Sequence, residues 1–551
     1  MNRNVHRFNI ILPWLFLASV YLLDLYLLIQ YGRTNLDSDA ASEMILASIE
    51  NRDHSLMSAN WYYSTEIRFI YLQGIYRIGL LLFPQNWHLA RVFSGAVLLA
   101  CYAASYLFLA KNIGMKKSLA VWTCAILLIP FGWDYFEYFL FTLSYMPHVI
   151  LYLMIAALVF RRMDQKDIRK QRIDSLLIFI LSVIGGANGS RIFYNCVLPL
   201  AAAVIVQVLK NLIRGKASNY QELKNQITAI RGLVPSAAAL FGALAGLALN
   251  IMVFSRQYVF YNFTDAVLQE WDLSLLLKTA GSFFSLFGWQ SGVSVLGFGG
   301  VSSFSGLLLA AIILSAAFYL SRHTGCLSED QKFLLSYFWC SIAVGSVFFA
   351  FSGMTNLRYW IPAVPIVIAL VGVLFEKLEL SPLLRRWFIS LLSCLFLISS
   401  CYPIYITRRT ANHSLIQAEQ WLEDHDYLQG YATYWNSNVL TELSSGRILT
   451  WTVDLNTMTS RQWLEESSRE TSKPEGKIFI LINHKENLRG APVMYTEDEI
   501  DEAHQNFFSS LSESHRGYED ENYSIYVFES NTELESMLEE NGLPIFSPSS
   551  E

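Results

Sequence analysis

Three carboxylates, Asp37, Asp39 and Glu43, fall within one short stretch directly after the first long apolar run of the chain. If Asp39 opens a helix, Glu43 lies one turn further along the same face. Carboxylates held this close repel one another, which raises the proton affinity of at least one and makes a proton acceptor suited to neutral pH. The plainer reading is a helix N-cap at Asp37 or Asp39 facing solvent. An external loop beside aromatic amphipathic segments favours chemistry at a membrane surface over the cap alone.

Basic and imidazole groups that can meet an anion lie elsewhere. Arg358 stands in Asn356-Leu357-Arg358-Tyr359-Trp360-Ile361-Pro362, at the entry to a late apolar run. A guanidinium there can hold a lipid phosphate through two parallel hydrogen bonds, or serve as an interfacial anchor beside Tyr359 and Trp360. Arg191, in Asn188-Gly189-Ser190-Arg191, is a second candidate, with simple snorkelling as the alternative. His148, after Tyr145-Met146-Pro147, is a third, and a lone histidine in such a place is commonly structural. Asp24 lies inside the first apolar run, where a charge is costly unless paired or near water.

The elements that must position these residues are membrane spans. The chain of 551 residues is 53% hydrophobic and 14% aromatic, too apolar for a soluble protein of this size. Hydropathy predicts eleven spans, near residues 8–30, 88–110, 118–131, 145–160, 174–187, 193–210, 232–254, 303–320, 332–351, 359–376 and 387–406. The first run is read as a retained anchor. With the amino terminus in the cytoplasm, the basic clusters Lys111–Lys117, Arg161–Arg172, Lys210–Arg231 and Lys377–Arg386 all fall inside. The carboxylate cluster and the carboxy-terminal region then face outward, at the plasma membrane. Residues 61–83 and 257–290 read as amphipathic segments lying in the headgroup layer. The seven cysteines show neither metal-ligand spacing nor a disulfide pattern and read mostly as small buried hydrophobes.

Charge divides the chain. Residues 410–551 carry 26 acidic and 8 basic side chains, a net −18, whereas residues 1–409 carry 20 and 32, a net +12. Domains are therefore expected at 1–409 in the membrane and 410–551 outside it. The acidity of the second argues against nucleic acid as a partner. Its patterning predicts an α/β domain, with helices at Ser414–His425, Thr496–Leu511 and Thr532–Glu540 and strands at Tyr431–Trp435, Lys477–Asn483 and Tyr523–Glu529. It shows no phosphate-cradling glycine loop and reads as a lid or recognition module over the membrane site.

This pattern resembles the GT-C superfamily of membrane glycosyltransferases. The spacing of Asp39, Glu43 and Ala47 is similar to the family's first-loop motif, and Arg358-Tyr359 before Pro362 and Pro365 to its Arg-Tyr ahead of a late span. The segments Ser58–Arg68 and Gly430–Gly446 look like those of bacterial proteins with this architecture. Ala40 departs from the acidic residue that many members carry after the aspartate, which leaves the second acidic role between Asp37 and Glu43. The resemblance implies a polytopic helical enzyme with a polyprenyl-phosphate-linked sugar as donor. Its acceptor would be a glycan, lipid or protein outside the cytoplasm. Asp39 would be the base, Asp37 or Glu43 its partner, and Arg358, Arg191 and His148 would meet the donor phosphate; transfer would invert the sugar. A monophosphate leaving group requires no cofactor, although the carboxylates can bind a divalent metal. The rival class is a transporter or flippase of a lipid-linked glycan, which calls for paired ionisable groups near the bilayer midplane.

Overall fold

The structure is a computed structural model that describes residues 3–64, 69–214, 232–260, 273–290, 293–294, 296–352, 357–486, 502–511 and 514–548. Its membrane part is helical. In chain order come α1 (Arg3–Tyr31), α2 (Ser38–Arg52), α3 (Leu72–Leu82), α4 (Trp87–Asn112), α5 (Lys117–Leu128), α6 (Met146–Asp164) and α7 (Ile168–Ala187). Then follow α8 (Leu198–Arg214), α9 (Leu233–Leu249), α10 (Leu273–Leu286), α11 (Phe298–Arg322), α12 (Glu329–Ser352), α13 (Val364–Lys377) and α14 (Pro382–Arg409). Among the described residues nine helices are long and apolar enough to cross a bilayer, so this is a multi-pass membrane protein. The predicted third and fifth spans correspond to α5, which is short, and to α7, whose first half carries Arg169, Lys170 and Arg172.

Small residues bring helices together where lipid offers no hydrophobic drive. In α9, Gly242 and Gly246 pack on α7 so closely that a methyl on Gly246 would stand 2.1 Å from the Val183 carbonyl oxygen. At the end expected to face the cytoplasm, Lys116 approaches Glu376 at 4.0 Å and Arg161 pairs with Asp174. Asp24 is buried, and neither carboxyl oxygen meets a hydrogen-bond partner among the described residues.

Several expectations are corrected. Among the described residues of 61–83, Leu72–Leu82 is the helical part; Tyr63 instead makes an extended bridge with Phe260. Glu66 and Arg68 lie outside the described residues, as do Tyr261, Asp265, Glu270, Trp271 and Asp272, while Leu273–Leu286 forms a helix. Cys101, Cys326, Cys394 and Cys401 are exposed on the protein surface rather than buried in packing.

The carboxy-terminal part contains α15 (His413–Asp424), β1 (Gln429–Ala432), α16 (Tyr434–Leu443), β2 (Leu449–Asp454), β3 (Thr459–Ser460), β4 (Ile478–Asn483), α17 (Glu502–Ser510), β5 (Arg516–Glu519), β6 (Tyr523–Phe528) and α18 (Asn531–Glu540). The strands form one sheet in the order β3-β2-β1-β4-β6-β5. β1 is parallel to β2 and β4, and the outer pairings are antiparallel. Alternating side chains serve the two faces. Tyr431, Ile480 and Tyr526 pack with Phe508, Leu534 and Leu538, whereas Ala432, Phe479, Leu481 and Ile525 pack with Leu415, Ala418 and Leu440. The strand expected at Tyr431–Trp435 stops at Ala432, because Thr433 turns the chain into α16.

The sheet domain is docked on the membrane part through α16. The buried Arg91 of α4 meets Glu442 of α16 twice, Nε to Oε1 at 2.7 Å and Nη2 to Oε2 at 2.6 Å. It also donates to the Tyr76 hydroxyl at 2.7 Å and to the Ala40 carbonyl at 3.0 Å. Just after α16, the Trp87 amide donates to Ser445 Oγ at 3.1 Å, and Gly446, at φ +80°, lies under the Trp87 ring. A methyl there would stand 2.8 Å from the indole, so this close approach requires glycine on both counts.

Candidate functional site

Asp37 caps α2: its Oδ1 accepts from the Ala40 amide at 2.7 Å, and its extended backbone is that of an N-cap. The cap starts the helix at a point that turns Asp39 and Glu43 toward one cleft. That cleft, about 850 Å³ with its open mouth included, is lined by Asp37, Asp39, Glu43, Arg191 and Arg358, with Tyr138, Tyr145 and Trp463 among the other walls.

The two aspartates are held differently. Asp39 is exposed to the cleft, and its Oδ1 accepts a hydrogen bond from the Tyr434 hydroxyl of α16. Asp37 is half-buried; burial, followed by the neighbouring Asp39, pushes its carboxyl up to about 6. Glu43, one turn on, also borders a smaller adjoining hollow of about 300 Å³ with Trp61, Tyr63 and Gln73. Farther along α2, Glu50 is buried 3.7 Å from Arg77, and burial raises it to about 8.

The arginines enter from breaks in the helices. Arg191 follows a turn at Gly189, where φ is +109°, and its guanidinium lies 5.4 Å from the Tyr145 ring centre. Arg358 sits in a 3-10 turn, Leu357–Ala363, and stacks 5.3 Å from Tyr138 and 5.4 Å from Tyr359. Tyr138 belongs to a π-turn, Glu137–Phe141, in the irregular segment ahead of α6. Aromatic rings thus hold both cations at the cleft by cation–π contact, and Tyr359 also hydrogen-bonds the Arg358 guanidinium. His148, expected at the donor phosphate, is not part of this lining. It is 3% exposed and packs against Tyr71 and Tyr152, with ring centres at 4.6 and 5.9 Å.

The sequence reading set the sheet domain over the site as a lid or recognition module but missed the side chains it brings there. Tyr434 reaches Asp39, and Trp463 and Leu464 form part of the cleft wall. Leu464 holds a positive φ of 49°, unusual for a branched side chain, and its amide donates to the Tyr62 carbonyl at 2.9 Å. The Tyr62 amide returns a bond to the Glu465 carbonyl at 2.9 Å. No local signal marks Trp463; Tyr434 lies in the Gly430–Gly446 segment singled out by its resemblance to bacterial proteins of this architecture. Among the described residues no group of three or more histidine, cysteine or acidic side chains is gathered closely enough to hold a metal ion.

Among solved structures, ArnT from Cupriavidus metallidurans bound to undecaprenyl phosphate shares this architecture at a TM-score of 0.56, over 93% of this chain and 97% of that one. The chain has the GT-C fold. Sequence identity to that GT-C structure is 12%; the apo form of the same ArnT gives a TM-score of 0.50 at 10% identity, with the same coverage. The archaeal oligosaccharyltransferase AglB from Archaeoglobus fulgidus, in complex with an inhibitory peptide and a dolichol-phosphate, has a TM-score of 0.41 and 13% identity, and this chain spans 64% of its length. No sequence model of a protein family and no curated protein matches the chain.

Proposed function

We propose that this GT-C chain is a glycosyltransferase that moves a sugar from a polyprenyl-phosphate donor to a hydroxyl of a glycan, lipid or protein at the outer face of the plasma membrane. One observation carries the reading: a carboxylate pair, Asp37 and Asp39, and two ring-stacked guanidiniums, Arg191 and Arg358, share a single cleft. The pair suits a hydroxyl that must lose a proton, and the guanidiniums suit a phosphate that gains charge. The ArnT structure with undecaprenyl phosphate supports the donor class.

The reaction is direct displacement. The acceptor oxygen attacks the anomeric carbon, the bond from that carbon to the phosphate oxygen breaks, and polyprenyl phosphate departs. The hydroxyl proton passes to the aspartate pair. Asp37 is its better acceptor, because its raised proton affinity lies near the working pH. Asp39, held by Tyr434, orients the hydroxyl and keeps negative charge beside Asp37. Arg358 and Arg191 stabilise the departing phosphate, where charge accumulates in the transition state. One displacement inverts the anomeric centre. Two guanidiniums meet the charge of a monophosphate, so no metal is needed for departure, although Asp37 and Asp39 are donors for a divalent cation.

The test is release of free polyprenyl phosphate from a panel of polyprenyl-phosphate sugars by the purified protein, with membrane extract as the acceptor source. Sugar-linked cleavage of one donor supports the transferase. Movement of intact donor between leaflets without cleavage would instead make it a flippase.

A further inference from the structure

The first turns of α2 and α16 exchange two hydrogen bonds. Ser38 Oγ donates to the Tyr434 carbonyl, and the Tyr434 hydroxyl donates to Asp39 Oδ1. Trp463 approaches the same phenol from behind as a hydrogen-bond partner, and Arg461 stacks on its ring at 5.1 Å. A second contact fixes the far end of the helix. Glu442 lies eight residues along α16, about 12 Å from Tyr434 at the rise of an α-helix, and is clamped by Arg91. The same guanidinium holds the carbonyl of Ala40, next to Asp39. A helix pinned at both ends cannot slide, so the phenol is delivered to the carboxylate at a set place.

We propose that Tyr434, backed by Trp463, is a positioning residue for the Asp37–Asp39 pair, which makes the sheet domain part of the catalytic apparatus rather than a detachable lid. This rests on the transferase reading of the cleft. A phenol donating to Asp39 occupies Oδ1 and leaves the other oxygen to meet the acceptor. It also favours the doubly ionised pair, the form able to take a proton. Other charges face the pair from every side: Glu43 on α2 itself, Arg191 and Arg358 in the cleft, and the Arg91–Glu442 couple beneath. Among the described residues, the tail's Tyr434 donates a hydrogen bond to the Asp39 carboxylate. The acid limb reports Asp37, whose carboxyl is raised by burial and then by the Asp39 charge beside it.

The experiment measures polyprenyl-phosphate release against pH for full-length wild type, Tyr434→Phe, Trp463→Phe and Trp435→Phe, the last an exposed neighbour on α16. Tyr434→Phe is expected to lower kcat roughly 10-fold, on the scale of a lost hydrogen bond to a charged group. The acid limb should rise by about one pH unit, with donor KM within about twofold. Trp463→Phe should move the limb the same way by less, and Trp435→Phe should match wild type. An unchanged kcat and acid limb in both Tyr434→Phe and Trp463→Phe overturns the proposal, as does a faster Tyr434→Phe enzyme, because the phenol would then be a brake. If Tyr434→Phe does not fold, the Trp463→Phe limb decides alone. A wild type that cleaves no donor removes the transferase reading and this inference with it, whereas cleavage lost in Asp39→Asn but untouched in Tyr434→Phe removes the inference only.

Discussion

The acidic and basic halves of the cleft are built in different ways. The acidic half is braced by protein hydrogen bonds: Asp37 is tied to Ala40, Asp39 to Tyr434, and Ala40 to Arg91 and through it to Glu442. The basic half is braced by rings, with Arg191 on Tyr145 and Arg358 between Tyr138 and Tyr359. A proton acceptor must stand within hydrogen-bond reach of one hydroxyl, which favours fixed directional contacts. A guanidinium that is to meet a phosphate can be held through ring faces, whose attraction acts on the cation as a whole. On this comparison, changes in the acidic half should damage the chemical step, and changes in the basic half should damage both donor binding and departure.

The largest effect is expected at the aspartates. Asp37→Asn should lower kcat by about 10²–10⁴, the usual contribution of a positioned base, and Asp39→Asn should fall in the same range, both measured as polyprenyl-phosphate release. Next comes Arg358→Ala, with a loss of roughly 10²–10³ in kcat/KM, the scale for one removed anion-stabilising group. Arg358→Lys should recover only part of it, since an ammonium cannot stack and fork as a guanidinium does. Arg91→Ala would leave Glu442 charged and buried without its partner. It should cost roughly 3–5 kcal/mol, read as a lowered midpoint of thermal unfolding and looser protection of α16 from hydrogen exchange.

Two pH effects are smaller. Transfer should rise with pH along a limb near 6, where Asp37 gives up its proton, and then level off. Glu50 has a folded proton affinity of about 8, above its ordinary value of 4.5. Its neutral form is therefore the one that folding favours, and its contribution is full at low pH and lost as pH rises through about 8. Glu50→Gln stays neutral, so its thermal midpoint should match wild type only below the ordinary value of 4.5 and exceed it increasingly from there toward about pH 8.

Much of the fold was legible in the sequence because membrane spans announce themselves by length and apolarity. The segments predicted to be external, around Asp39, Tyr138, Arg191 and Arg358, meet in one cleft with the tail, as an odd number of crossings requires. The carboxylate cluster and the two arginines were readable as types out of place in apolar surroundings. His148 was not, because a buried ring between Tyr71 and Tyr152 has the same sequence surroundings as a ligand. Tyr434 and Trp463 were hidden for another reason: their function depends on how the sheet domain docks, and docking rests on pairs such as Arg91 and Glu442 that lie hundreds of residues apart. The end of β1 at Ala432 was missed because Tyr434 and Trp435 favour strands locally while tertiary packing makes them helical.

The most direct test sets binding against chemistry in one variant: the affinity of Asp37→Asn for polyprenyl phosphate, measured beside its rate of donor cleavage. Wild-type affinity with cleavage reduced at least about 100-fold is the predicted result, because the arginine half is intact and the proton acceptor is gone. Cleavage at the wild-type rate would contradict the account, and the proton would then have to leave by Asp39 or by a group outside the pair.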